Sequence, residues 1–435
     1  MPVTLSRHYR LAKEGSWILI GQVSSVLSAL VLVRVLTEYL DPVQYGEVAL
    51  GLTLTGLVDQ VVMGGLGNAI SRFYAIAAEK KDFGNYLSAA WRLMALGAAV
   101  VLTIGVVLLA ILWFLDQPHL AALAGAALLF SVLSTYNSTL SGVQNAARKR
   151  GIVAVHGSLD AWLKIVLAVA LVVWLGRSST VVVLSYAISA LVVATSQSFF
   201  LRRLMPRAST ASADRSVWTR QIYAYAWPFS CWGVFTWAQQ SSDRWALQAF
   251  ATTDEVGLYA VLFQLGYTPI AIATGMAVSF VGPIFYQRSG DATSAARNEN
   301  VHGLAWRITI TCLGLTLFGF LAALVLHEWI FGFLVGPEFR RISYLLPWVL
   351  LAGGLFAAAQ MLALKLLSDM RPAAMLRPKI VTALIGIGLN ILGASIAGSR
   401  GVAFAALSFS ALYFLWMLHL SRPRLASASV QSASR

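Results

Sequence analysis

Residues 16–36 read SWILIGQVSSVLSALVLVRVL, an apolar run whose one charged residue is Arg34. A helix needs about 20 such residues to cross a bilayer, so this stretch is long enough to span. Arg7, Arg10 and Lys13 precede it, as basic residues precede the apolar part of a signal peptide. The run is too long for one and no small-residue cleavage site follows, so it reads as a retained first helix.

Eleven more apolar runs follow, at about 45–67, 86–113, 120–141, 152–175, 181–201, 222–250, 257–285, 302–326, 343–367, 380–397 and 402–420. The composition agrees. Of 435 residues, 58% are hydrophobic and 11% charged, and the mean hydropathy is +0.73. A soluble chain carries about 25% charge, so a soluble enzyme is excluded. The 14 Trp, 14 Tyr and 21 Phe suit two membrane interfaces, where aromatic rings gather at headgroup depth.

The formal charge of +14 does not point to nucleic acid, because the basic residues lie between the apolar runs. There they set orientation. Alternate connections are basic: Arg7 to Lys13, Arg72 to Lys81, Arg148 to Arg150, Arg202 to Arg220, Arg288 to Arg297, Arg371 to Lys379 and Arg422 to Arg435. The others carry only Arg177, Arg340, Arg341 and Arg400. By the positive-inside rule both termini are expected in the cytoplasm. The outer connections Leu115 to His119, Gly176 to Thr180 and Gly398 to Gly401 are barely turns. The long Ser/Ala/Arg-rich stretch from Arg202 to about Arg220 reads as a linker between two halves, 1–206 and 207–435.

Matching segments recur in those halves. Arg34 returns as Arg244, Tyr45-Gly46 as Val256-Gly257, Phe73-Tyr74 as Phe285-Tyr286, and Ala90-Trp91-Arg92 as Ala305-Trp306-Arg307, always about 210 residues later with an offset that grows slowly. An even number of spans per half orients both the same way, which is the geometry of lobes that rock about a central cavity. The expected fold is therefore an all-α integral membrane protein of twelve helices in two parallel-repeat lobes.

Charges inside the runs nominate the site, since each costs about 2.5 to 3.5 kcal/mol at mid-membrane without a partner or a wet cavity. Arg92, Arg307 and Lys365 lie near cytoplasmic ends, where snorkelling to headgroups competes with a substrate role. Arg34 and Arg244 sit deep in repeat-related spans and either snorkel outward or line a cavity. Trp237, Gln240, Ser241 and Arg244 share one helix face. Asp243 is a partner for Arg34 or Arg244. Asp160 and Lys164 stand four apart on one face, as an internal pair or as an anion site with a protonatable carboxylate. Asp59, beside Gln60, is a further candidate for ion or proton coupling. Cations outnumber anions in the spans, and a guanidinium fork suits phosphate.

No Walker-type loop, His-Glu-x-x-His, Gly-x-Ser-x-Gly or Asp-x-Asp motif competes, and neither metal nor cofactor is expected. The six histidines are scattered near span ends and read as interfacial. Cys231 and Cys312 lie in apolar runs and imply no disulfide framework.

The stretch Arg34-Val-Leu-Thr-Glu-Tyr-Leu-Asp-Pro-Val-Gln-Tyr-Gly46, with Gly65-Leu-Gly-Asn-Ala-Ile-Ser-Arg-Phe-Tyr74, resembles the opening of bacterial polysaccharide-transport flippases. These form the O-antigen and exopolysaccharide branch of the multidrug/oligosaccharidyl-lipid/polysaccharide (MOP) exporter superfamily. Asp243-Arg244 with Glu255-Val-Gly-Leu-Tyr259, and Phe333-Leu-Val-Gly-Pro-Glu-Phe339, agree with it. The resemblance implies a MATE-like bundle in the bacterial inner membrane that moves an undecaprenyl-diphosphate-linked oligosaccharide outward, with a cationic cavity at Arg34 and Arg244. It also implies membrane lipids, H+ or Na+, a polysaccharide polymerase and glycosyltransferases as partners. Two other readings stand beside it. One is an ion-coupled exporter of small amphipaths, although the acidic residue such exporters often carry in the first helix is replaced here by Arg34. The other is a polymerase or glycosyltransferase, for which the outer loops are too short.

Overall fold

The computed structural model describes residues 2–204, 215–289, 295–368 and 375–421. Most of the expected linker falls at 205–214, outside the described residues. Among those described, the chain is helical throughout and has no strand. Its helices are α1 (Pro2–Tyr39), α2 (Pro42–Leu57), α3 (Gly64–Glu79), α4 (Phe83–Phe114), α5 (Pro118–Ala146), α6 (Arg150–Leu175), α7 (Ser179–Leu204), α8 (Arg215–Phe250), α9 (Thr253–Gly266), α10 (Thr268–Ser289), α11 (Ala295–Leu334), α12 (Leu346–Ser368) and α13 (Leu376–Ser421).

Local chemistry explains where they begin and bend. Asp41 opens α2 with a capping box: its carboxylate accepts from the Gln44 N–H at 2.8 Å, and Pro42 needs no donor at the first position. A π turn, Val58–Met63, joins α2 to α3 and bends one long span. Single residues with positive φ make the turns at Lys81, Asp116, Arg148 and Gly176. α8 carries Pro228 in its interior, which removes one ladder hydrogen bond.

Among the described residues, ten helical segments are long and apolar enough to cross a membrane, and the chain is a multi-pass membrane protein. The twelve expected spans differ from these ten in two places. α8 is absent from the ten because its apolar part is rich in Tyr and Trp and contains Pro228, and the polar run Gln239 to Arg244 follows. α13 holds two expected spans in one helix, interrupted where Ala397 and Gly398 leave helical geometry, at the turn expected from the sequence.

The chain forms two compact units: Met1–Val261 with Trp329–Arg341, and Leu262–Glu328 with Ile342–Arg435. In the first, α5 packs on α7, α3, α4 and α2, α1 lies along α6, and α8 packs on α3, α4 and the π turn. Trp218 of α8 sits edge-on to Phe73 and Tyr86 and donates its indole N–H to Asp82 at 2.7 Å. In the second, α12 packs on α13 and α10. Its buried face is Ala352, Gly353, Gly354, Ala357, Ala358 and Ala359, since lipid-embedded helices associate by close approach of small residues rather than by expelling water. Phe356, Phe409 and Tyr413 stack beside that face.

Candidate functional site

The charged and polar residues nominated from sequence fall mainly in the first unit, on α1, α6, α8 and the α2–α3 span. Arg34 lies a turn from the end of α1, is 40% exposed, and pairs with Glu38 on its own helix at 2.6 Å. Asp243 is therefore not its carboxylate. Asp243 is buried on α8, where its carboxylate accepts from the backbone N–H of Arg244 at 2.7 Å. The Arg244 guanidinium stands 3.9 Å from that carboxylate, half-buried and within Coulombic reach of the Tyr45 phenol.

The helix face proposed for Trp237, Gln240, Ser241 and Arg244 divides in the structure. Trp237 donates its indole N–H to the Thr53 carbonyl at 2.8 Å, and Gln240 accepts from the Gln60 amide at 2.8 Å. Both tie α8 to the bent α2–α3 span. Ser241 is buried, and Arg244 lies beside Asp243 on the same helix. The Trp245 indole N–H adds a bond to the Thr53 hydroxyl at 3.0 Å. Asp59 projects from the π turn, half-buried, and makes no ion pair among the described residues.

Asp160 and Lys164 form the tight pair their spacing predicts, 2.5 Å apart along α6. Lys164 also lies over the Phe130 ring at 5.1 Å, and Ser189 of α7 donates to Asp160 at 3.2 Å. Arg92 on α4 and Arg307 on α11 are exposed and make no ion pair among the described residues. Lys365, on α12, is buried and donates to the Ser421 carbonyl at 3.2 Å. Cys231 and Cys312 are free thiols.

Two polar groupings were missed from the sequence. His156, expected at an interface, is 4% exposed inside the bundle, with Nε2 at 3.0 Å from the Ser196 hydroxyl and Nδ1 at 2.9 Å from the Ile152 carbonyl. The available signal was its four-residue spacing from Asp160. Glu47 accepts from Ser179 at 2.6 Å and lies 3.6 Å from His119, tying α2 to the N-terminal ends of α5 and α7. No sequence period relates those three residues.

The arrangement offers several intramembrane cations, each held by a carboxylate on its own helix. No curated protein matches the chain in sequence. The fold is similar to that of the lipid II flippase MurJ in an inward closed conformation, with a TM-score of 0.71 at 10% identity over 94% of this chain and 87% of that one. It is also similar to a MATE transporter of Vibrio cholerae, with a TM-score of 0.63 at 14% identity over 97% of both chains. A multidrug resistance MATE family transporter of the MOP superfamily, inward-facing, gives 0.63 at 15% identity over 95% of this chain and 96% of that one. The family model described as polysaccharide biosynthesis protein matches residues 11–288. The chain therefore belongs to the polysaccharide biosynthesis protein family, and its helical membrane fold is similar to that of MATE transporters.

Proposed function

We propose that the chain is a flippase that carries an undecaprenyl-diphosphate-linked oligosaccharide, an O-antigen or exopolysaccharide repeat unit, from the cytoplasmic to the periplasmic leaflet of the bacterial inner membrane. In this reading twelve spans form lobes 1–206 and 207–435, with both termini in the cytoplasm, and the lobes alternate access to the site. The observation that carries it is the nature of the ion pairs. Arg34–Glu38, Lys164–Asp160 and Arg244–Asp243 each join a cation to a carboxylate on the same helix. Such a pair opens to an incoming diphosphate without parting two helices, and the fork of a guanidinium then binds phosphate oxygens two at a time.

The diphosphate docks on Arg34 and Arg244 with Lys164, and Arg92 and Arg307 draw it in from the cytoplasmic side. Trp237 and Gln240 meet the sugars, while the polyprenyl tail stays in lipid. Displaced carboxylates at Asp160 and Asp243, with Asp59, take up H+ or Na+, and return of that ion resets the lobes. An inside-negative potential helps, because each negative charge moved outward gains about 2.3 kcal/mol per 100 mV. A polymerase and glycosyltransferases act on either side of this step. The fold of MATE transporters also suits export of small amphipaths, and the same assay separates the two. Headgroup transfer is measured in reconstituted vesicles with Arg34→Ala and Arg244→Ala. Both variants are expected to insert normally and to transfer at least tenfold more slowly. Wild-type rates in both would remove the assignment.

A further inference from the structure

His156, Asp160 and Lys164 recur at i, i+4 and i+8 on α6, so three titratable groups form one stripe that rises about 6 Å per step. Ser196 and Ser189 of α7, seven residues apart, each face one of them: Ser196 meets His156 at 3.0 Å and Ser189 meets Asp160 at 3.2 Å. We propose that this stripe is a proton path, with His156 as the carrier between Asp160 and the cytoplasm. The proposal deepens the flippase reading and rests on its orientation, in which α6 enters the membrane from the cytoplasm at Arg150.

The hydrogen bonds of the imidazole assign the atom that works. Nδ1 lies 2.9 Å from the Ile152 carbonyl, which can only accept, so Nδ1 carries hydrogen in both charge states. Nε2 is then the atom that gains and loses a proton. Neutral, it accepts from the Ser196 hydroxyl; protonated, it donates to the oxygen of the same hydroxyl. Neither state leaves a ring nitrogen without a partner. A histidine placed only for packing has no need of a reversible partner at Nε2.

The neighbouring helices supply polar groups along the stripe. From α5, Asn137 donates to the Ala190 carbonyl at 2.8 Å and Ser141 donates to the Gln197 amide oxygen at 3.4 Å. Asn137 Oδ1 and both amide atoms of Gln144 are buried without a protein partner. Buried polar atoms of this kind are commonly satisfied by ordered water, which can carry protons. Among the described residues, the titratable or charged groups on the packed helices are His119 and Tyr136 of α5, Tyr186, Arg202 and Arg203 of α7, and Arg7, His8, Tyr9, Arg10, Lys13, Glu14, Arg34, Glu38 and Tyr39 of α1. Tyr136 bonds Ser198 at 3.3 Å, and Arg34 and Glu38 sit at the far end of α1. Phe200 closes the ring edge-on at 5.4 Å.

The transfer balances. A protonated Asp160 gives its proton through hydroxyl or water to His156 Nε2, and the carboxylate left behind re-pairs with the Lys164 ammonium. The imidazolium then releases the Nε2 proton toward the cytoplasm and returns to the same tautomer.

The test uses the full chain, 15N-labelled at histidine, in nanodiscs, with His156→Gln identifying the signals of this ring. The expected result is that lowering the pH converts them from those of one neutral tautomer, protonated at Nδ1, to those of the imidazolium. Asp160→Asn is expected to move that transition. In vesicles containing a pH dye and undecaprenyl diphosphate, with an inside-negative potential, His156→Gln is expected to take up protons at least tenfold more slowly than wild type. A ring that keeps one neutral tautomer as the pH falls, or wild-type uptake in His156→Gln, overturns the proposal. Should His156→Gln fail to fold, Ser196→Ala removes only the Nε2 partner, and an unshifted transition in that variant overturns it equally. Headgroup transfer that depends on Arg34 and Arg244 beside a silent His156 rejects the path alone. A titrating His156 beside wild-type transfer in Arg34→Ala and Arg244→Ala rejects the substrate site alone.

Discussion

Gly46 of α2 and Gly257 of α9 occupy equivalent places in the internal repeat and lie against each other. A Cβ built on Gly46 overlaps the Thr253 carbonyl oxygen, and one built on Gly257 overlaps the Pro42 carbonyl oxygen. Each such Cβ is also 2.9 Å from the backbone nitrogen of the other glycine. Pro42 and Thr253 begin their helices and are themselves repeat equivalents, so the contact is symmetric in all four residues. The backbones approach this closely only because neither position has a side chain.

Gly46→Ala and Gly257→Ala are therefore each expected to cost about 2 kcal/mol or more, because the obstructing atom is backbone and cannot rotate away. Thermal melting in detergent, followed by size-exclusion fluorescence, measures this. Gly275→Ala, where a Cβ meets no atom within 4 Å, is the control and is expected to melt like wild type. Equal melting of all three would show that the helices part freely here.

Gly176 and Gly398 hold positive φ, 101° and 55°, at two short turns between helical segments. At Gly176 nothing lies within 4 Å of a built Cβ, so alanine there meets backbone strain alone. A loss of about 1 to 2 kcal/mol is expected for each alanine variant. Melting in the same assay reads it, and an unchanged midpoint would mean the turn relaxes to another conformation.

The Asp160–Lys164 pair makes a prediction about order of effects. Asp160→Asn and Lys164→Met each strand one charge inside the bilayer and are expected to cost about 1 to 3 kcal/mol, less than a fully buried pair because both side chains are a fifth to a quarter exposed. The double variant strands neither. It is expected to accumulate in membranes above either single variant, and a double variant worse than both would show that the two residues do not act as a pair.

Trp237→Phe keeps the ring and removes the donor to Thr53, which is expected to cost about 1 kcal/mol. Gln60→Leu, which ends the bond to Gln240, is expected to cost a similar amount. Measured together, the two losses should fall short of their sum if the π turn and α8 dock as one unit, and simple addition would argue that they dock independently.

Much of this molecule is legible from its residues. Long apolar runs force helices because an unpaired peptide group is too costly in lipid, and that constraint acts locally, on one segment at a time. The turns at Gly176 and Gly398 and the pair at Asp160 and Lys164 were readable for the same reason: each depends on residues within a few positions of one another. α8 shows the limit of that logic, since its hydropathy is low although contacts with the α2–α3 span satisfy Gln240, Trp237 and Trp245 along it.

What the chain's order of residues determined by itself is the helical membrane class, the internal repeat and the supply of cations within the spans. Tertiary structure alone decided that the face at Trp237 and Gln240 docks on α2 and α3, and that His156 lies buried against Ser196. Those outcomes join residues dozens to hundreds of positions apart. Packing, not period, brings them together, because side chains on different helices become neighbours only when small residues let the backbones close.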